Sequence, residues 1–297
     1  MKLALAITIS LISLTVPCVA GAPKENCEEG YSISSTELGG KKTRIDVLKI
    51  GKSEPTYSIV LQDVNSGHYH LYEFHNGNLY IIQRTGYVQS PSQPRDTWTD
   101  ELWKYDYSKK GEKLFSFRGL DFRVSPNERY ILVRYGRVDT IEGAHLELLD
   151  SKGNRIRKFG AKDFISQDVG NMYLTDEYLF FSEGACFSKI IKLNLLTFSW
   201  KMDDLSGLSF CYEYDFNPMT EKLVGSDFPF LGDVETGNQW QEGMPAVTLY
   251  LYDLVSKKKT VVSTSVAKDF NPQWLCDDRF QYSDPHSSQR ITHIIGP

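Results

Sequence analysis

Short apolar runs alternate with polar ones along most of the chain, and the alternation keeps a period of two residues rather than 3.6. From Glu73 onward the same order of features returns: an acidic residue followed by Phe, a turn, a short β-rich run, a loop of variable length, an alternating run, a polar turn and one more run. The β-rich runs include Tyr130 to Val133, Tyr178 to Phe181, Lys222 to Val224 and Arg279 to Tyr282. The alternating runs include His145 to Asp150, Ile190 to Asn194 and Thr248 to Asp253, each closed by Asp or Asn. No long stretch has a helical apolar period.

The acidic-Phe pairs are Glu73-Phe74, Asp121-Phe122, Asp163-Phe164, Asp215-Phe216 and Asp269-Phe270. Their spacing is roughly 50 residues, with four strands per unit, which predicts the blades of an all-β propeller. A blade cannot bury both of its faces alone, so stacking around a ring completes the core. Five anchors favour five blades and leave six open. The last unit runs out after three strands, Phe270 to Trp274, Arg279 to Tyr282 and Arg290 to Ile295. Spare strands at Tyr31 to Ser35, Arg44 to Ile50 and Tyr57 to Gln62 are available. One of them is expected to fill the outermost position of the last blade and close the ring, removing an open edge.

The turns Val124-Ser125-Pro126-Asn127, Phe216-Asn217-Pro218 and Phe270-Asn271-Pro272-Gln273-Trp274 sit beside strands that end like Tyr252-Asp253. In these features the unit resembles the TolB-type, WD40-like propeller repeat of exported bacterial proteins. The resemblance covers most of residues 44–295 and implies a propeller in the cell envelope. It implies no particular activity, because one fold hosts many functions.

Residues 1–20 read as a secretory signal peptide: Lys2, an apolar run from Leu3 to Val16, and a small-residue cleavage pattern ending at Ala20. Residues 21–43 are then an N-terminal segment and 44–297 a single propeller domain. The expected location is secreted or periplasmic. Export favours disulfides among Cys27, Cys186, Cys211 and Cys276. Four cysteines allow three connectivities; Cys186 with Cys211 and Cys27 with Cys276 are favoured, against buried free thiols.

The 297 residues are 41% hydrophobic and 13% aromatic with a formal net charge of −5. That supports a large core and argues against nucleic acid as a partner. No later stretch is long enough for a membrane span, and a monomer is expected. Nucleophile, zincin and P-loop motifs are absent.

Two groups are candidates for function. The first is aromatic: Tyr87, Trp98, Phe228, Phe230 and Trp240, in long loops joining the second and third strands of their blades. Long loops on a rigid scaffold suit recognition of a protein or small ligand. The second is an acidic ring at the channel mouth: Glu73, Asp121, Asp163, Asp215 and Asp269. Such a ring could take Ca²⁺ or place two carboxylates for a hydrolase or lyase acting on a glycan or peptide. The structural alternative is that each acid accepts backbone N–H bonds and fastens one blade to the next. His68 and His70 share a strand face with His75 out of phase, which makes a weak metal set. The expectation is a non-catalytic binding module, with no catalytic residue and no resident metal or cofactor assigned.

Overall fold

The structure, a computed structural model, describes residues 31–39, 42–49, 52–62, 72–88, 97–117, 119–135, 145–160, 169–183, 189–205, 208, 213–227, 246–265, 270–276, 278–284, 287 and 289–295. Among them are 22 strands in six antiparallel sheets, each an up-and-down meander in chain order. The first blade holds β1 (Tyr31–Gly39), β2 (Lys42–Lys49) and β3 (Pro55–Gln62). The second holds β4 (Tyr72–His75), β5 (Asn78–Val88), β6 (Thr97–Tyr105) and β7 (Gly111–Phe117). The third holds β8 (Gly119–Val124), β9 (Tyr130–Tyr135), β10 (His145–Asp150) and β11 (Arg155–Phe159). The fourth holds β12 (Val169–Leu174), β13 (Tyr178–Glu183), β14 (Lys189–Asn194) and β15 (Trp200–Asp204). The fifth holds β16 (Tyr214–Asn217), β17 (Lys222–Ser226), β18 (Val247–Asp253) and β19 (Lys258–Ser265). The sixth holds β20 (Gln273–Cys276), β21 (Arg279–Ser283) and β22 (Arg290–Ile294).

The fold is therefore an all-β propeller of six blades, not the five that the anchors favour. The three N-terminal strands expected as spare closing elements build a blade of their own, and none of them pairs with β22. First strands of successive blades are neighbours: β1 and β4, β4 and β8, β8 and β12, β16 and β20. The first strand is thus the inner one. Because each sheet is a meander, turns between first and second and between third and fourth strands share one face, called lower here. Connections from second to third strand, and from each four-stranded blade to the next, begin and end on the upper face.

Five apolar clusters hold the blades together, one at each junction from first–second to fifth–sixth. Ile33, Ile45 and Val47 of the first blade meet Phe74, Leu79 and Ile81 of the second. Tyr80, Ile82 and Leu102 then meet Phe122, Val124 and Ile131. Leu132, Leu146 and Leu148 meet Met172, Leu174 and Phe181. Phe180 and Ile190 meet Phe216 and Leu223, and Val224 and Leu249 meet Phe270, Trp274 and Phe280. Neighbouring residues on a strand point to opposite faces, so each sheet feeds two junctions. Phe122 and Phe216 always point back to the preceding blade, and both are fully buried. Among the described residues no apolar cluster joins the sixth blade to the first. Of the residues alternating with the first blade's buried set, Ser32, Ser34, Arg44, Asp46 and Ser58 are polar, and Leu48 and Val60 are apolar.

Two units are placed differently from expectation. In the fourth blade, β12 carries Asn171-Met172 where its neighbours carry the acidic-Phe pair, and Asp163-Phe164 lies outside the described residues. In the sixth, Asn271 takes a left-handed φ of 44°. This bends the chain, and β20 begins only at Gln273. The turn Asn76-Gly77 between β4 and β5 has φ of 47° and 82°, the two-residue hairpin geometry that Asn-Gly favours. A Cβ on Gly77 would collide with the Tyr107 ring at 1.9 Å.

Phe216 packs against Tyr173 and Phe180 with ring centroids 5.1 and 5.2 Å apart. Phe216→Ala is expected to lower unfolding free energy by about 3–5 kcal/mol, as buried Phe truncations do. Chemical denaturation reads this directly.

Candidate functional site

The inner-strand acids face forward, toward the next blade. Glu73 on β4 is buried, and its Oε2 accepts the Val124 N–H of β8 at 2.6 Å. The same oxygen lies 3.0 Å from His75 Nε2. Asp215 on β16 accepts the Phe216 N–H at 2.9 Å through Oδ1 and the Trp274 N–H of β20 at 2.8 Å through Oδ2. The Trp274 indole returns a bond to the Asp215 carbonyl at 3.0 Å. Asp121 on β8 accepts the Phe122 N–H at 2.8 Å and Arg123 Nη1 at 2.7 Å. Arg123 Nε in turn donates to the Met172 carbonyl of β12 at 3.0 Å. Asn171 on β12 donates to the Tyr214 hydroxyl of β16 at 2.7 Å. Four successive junctions thus carry a polar link between inner strands. Asp163 and Asp269 lie outside the described residues.

Burial and charge act together along this line. Burial opposes the Arg123 charge, but Asp121 and Glu73 outweigh it and hold its pKa above the ordinary value. Asp215 has no cation to do the same. Burial pushes it up to about 7, against the pull of two backbone N–H groups.

A second set of links runs along the lower face. Glu128, in the turn after β8, accepts from Asn78 Nδ2 at 2.9 Å, the Tyr80 hydroxyl at 2.8 Å and Lys104 Nζ at 2.7 Å, all in the preceding blade. Burial raises its pKa, yet these donors prevail and hold it below the usual carboxylate range. Glu221, in the turn after β16, pairs with Lys192 of the preceding blade. Glu128 and Glu221 both sit at left-handed φ, 59° and 53°. Sequence reading missed Arg123, Asn171, Glu128, Lys104, Lys192 and Glu221. A Lys in the third strand paired with a Glu ending the next blade's first turn was the available signal.

Of the aromatic candidates, Tyr87 lies on β5 and Trp98 on β6, both in the shifted stretch of the ladder between the Thr85–Thr99 and Val88–Thr97 pairs; their side chains are outside the description. Phe228, Phe230 and Trp240 lie outside the described residues, as do Cys27, Cys186 and Cys211. Cys276 ends β20, with its side chain undescribed. His68 and His70 are also outside, whereas His75 is buried on β4. The β5–β6 hairpin outruns its sheet. β4 reaches only Ile81 and β7 only Asp100, yet the ladder continues through Thr85–Thr99 to Val88–Thr97. Four further residues at about 3.3 Å each carry the ribbon roughly 13 Å beyond the upper face.

Among the described residues no group of three His, Cys, Asp or Glu is arranged to hold a metal ion. No helix among them is long and apolar enough to cross a membrane.

The fold and this line of inter-blade links define a six-bladed β-propeller. No protein-family model matches the chain, and no curated protein does. Solved structures similar to it include the Cps50 (Swd1) β-propeller domain of Myceliophteria thermophila, at 8% identity and TM-score 0.48, over 90% of this chain and 80% of that one. Another is the dihydro-heme d1 dehydrogenase NirN, at 15% identity and TM-score 0.45, over 94% and 68%. A third is an oligogalacturonate lyase of Vibrio parahaemolyticus, at 9% identity and TM-score 0.42, over 88% and 85%. These likenesses carry nothing about activity.

Asp215 makes stability depend on pH with a definite sign. Well below pH 4 both folded and unfolded forms hold its proton. As pH rises to about 7 the unfolded chain gives the proton up first, because the folded pKa is the higher. This contribution to stability is therefore lost as pH rises between about 4 and 7. Unfolding midpoints of the wild type minus those of Asp215→Asn should show that decline, with the variant flatter in the same window.

Proposed function

We propose that the protein is an exported, non-catalytic β-propeller that recognises a protein or small ligand through its upper face. The observation that carries this is the second blade's ribbon, which projects past both neighbouring strands and carries Tyr87 on one strand and Trp98 on the other near its end. A protruding two-stranded element on a rigid disc is a positioned recognition loop. Rigid aromatic residues there supply contact area at small entropic cost. Phe228, Phe230 and Trp240 fall in sequence between β17 and β18, which end and begin on the same face.

The proposed location, secreted or periplasmic, rests on the signal-like residues 1–20. The disulfides Cys186–Cys211 and Cys27–Cys276 belong to the same proposal. The enzymatic alternative, a hydrolase or lyase using inner-strand carboxylates, has Asp215 in its favour, since an acid titrating near neutrality suits proton transfer. Against it, both Asp215 oxygens accept backbone N–H bonds, and Glu73 and Asp121 also have protein partners.

A photo-crosslinking amino acid at position 87 or 98, expressed in the native cell, tests the recognition role. The expected result is a discrete adduct from both positions and none from position 152, on a lower-face turn. Equal labelling at all three positions, or none at 87 and 98, overturns it.

A further inference from the structure

Two neighbouring lower-face turns share one geometry. Asn194 Oδ1 accepts the N–H groups of Leu196 and Thr197 at 2.9 and 2.8 Å. Asp253 Oδ1 accepts those of Val255 and Ser256, both at 2.9 Å. The residue after each cap turns inward: Leu195 and Leu254 are buried, and their N–H groups donate to the carbonyls of Glu177 and Glu221. The residue two past the cap stands at the apex. Leu196 is 85% exposed and Val255 71%.

The fold does not require an apolar apex. In the third blade Asp150 Oδ1 caps the equivalent turn by accepting the Lys152 N–H at 2.9 Å, and a lysine stands there. Leu196 and Val255 therefore place apolar side chains in water where a polar one would serve the turn equally well. Each apex has an apolar companion beside it. Trp200 opens β15 straight after the Leu196 turn at 42% exposure, and Met219 lies in the β16–β17 turn at 41%.

Basic groups edge the patch. Lys201, Lys257, Lys258 and Lys259 are exposed. Lys257 Nζ reaches Asp203 Oδ1 of the fourth blade at 2.6 Å, which ties the two blade rims together. Lys259 Nζ lies 3.6 Å from the Tyr250 ring centre. Acids nearby are committed within the fold: Asp253 to its own turn, Asp203 to Lys257 and Glu221 to Lys192. Glu177 stands exposed at the margin.

We propose that this lower-face patch of the fourth and fifth blades docks on an anionic lipid surface. Apolar apices on convex turns fit an interface that deforms around them, and Leu196 and Val255 enter it. Trp200 lies at headgroup level, where the amphipathic indole is favoured. The lysines keep their ammonium groups among the lipid phosphates while their stems cover apolar surface. This contact is peripheral and leaves the upper face open.

The test is co-sedimentation of the full mature protein with vesicles of roughly one part phosphatidylglycerol to three of phosphatidylcholine. Sedimentation is expected with these vesicles and not with phosphatidylcholine alone, and should weaken with added salt. Leu196→Asp with Val255→Asp should reduce it at least tenfold, and Lys257→Glu with Lys258→Glu should weaken it separately. Leu196, Val255 and Lys257 lie on exposed turns and Lys258 opens β19 with its side chain exposed, so an unchanged unfolding midpoint shows that the fold survives. Absence of binding overturns the proposal. So does equal binding to neutral vesicles, or binding that persists in the Leu196/Val255 variant. Concentration-dependent dimers that the same variant abolishes, without vesicle binding, would instead assign the patch to a second copy of the chain.

Discussion

The bond from a buried side chain on one inner strand to the backbone of the next is the constraint on which the rest of this propeller depends. A blade is a twisted sheet with two faces, and apolar packing alone fixes neither the angle nor the height at which two blades meet. A buried carboxylate or amide is costly unless its partners lie at hydrogen-bonding distance. Glu73 meets the Val124 N–H and Asp215 meets the Trp274 N–H in that way. Arg123 reaches the Met172 carbonyl at the following junction, and at the one after it the exposed Asn171 links to the Tyr214 hydroxyl instead. The two-residue strand period lets adjacent residues serve opposite neighbours. In an Asp-Phe pair the Phe plugs the junction behind and the Asp fastens the junction ahead. Glu73-Phe74 and Asp215-Phe216 join their blades to both neighbours directly in this way.

Much of this was legible along the chain, and the gaps have physical causes. The His145–Asp150 strand could be bounded to the residue because its buried pattern ends on a capping Asp. The first blade was missed as a blade because its inner strand, Tyr31–Gly39, carries no acidic-aromatic pair. The fourth was misregistered because Asn171 and Met172 do the same two jobs with an amide and a thioether, so a search for charge and ring slid to Asp163-Phe164. In the sixth, one left-handed residue, Asn271, separates the pair from its strand. The partners of the acids are backbone groups about fifty residues away, and nothing in residue type marks them. The candidate site was legible only as positions: Tyr87 and Trp98 were found by loop length, and the hairpin that carries them by backbone geometry.

The six junctions are not alike. Five have both an apolar cluster and neighbours in sequence. The faces that the first and sixth blades turn away from those clusters mix polar residues with the exposed Val60 and Ile294. The outer strands of complete blades carry charge, as in Arg155, Arg157 and Lys158 of β11 or Lys258 and Lys259 of β19. That arrangement discourages pairing with other chains. β3 carries none, and β22 only Arg290 at its start. The stable, guarded part of the disc runs from the second blade to the fifth. It carries the projecting ribbon at one end of that arc and the apolar apices at the other.

Amide hydrogen exchange at Val124 and Trp274 tests the central claim most directly. If Glu73 and Asp215 hold the next blade, these two amides exchange only through global unfolding in the wild type. Glu73→Ala should then release Val124 alone, and Asp215→Ala should release Trp274 alone. Exchange at Val124 and Trp274 as fast as at the exposed turn amides of Leu196 and Val255 in the wild type would contradict the account.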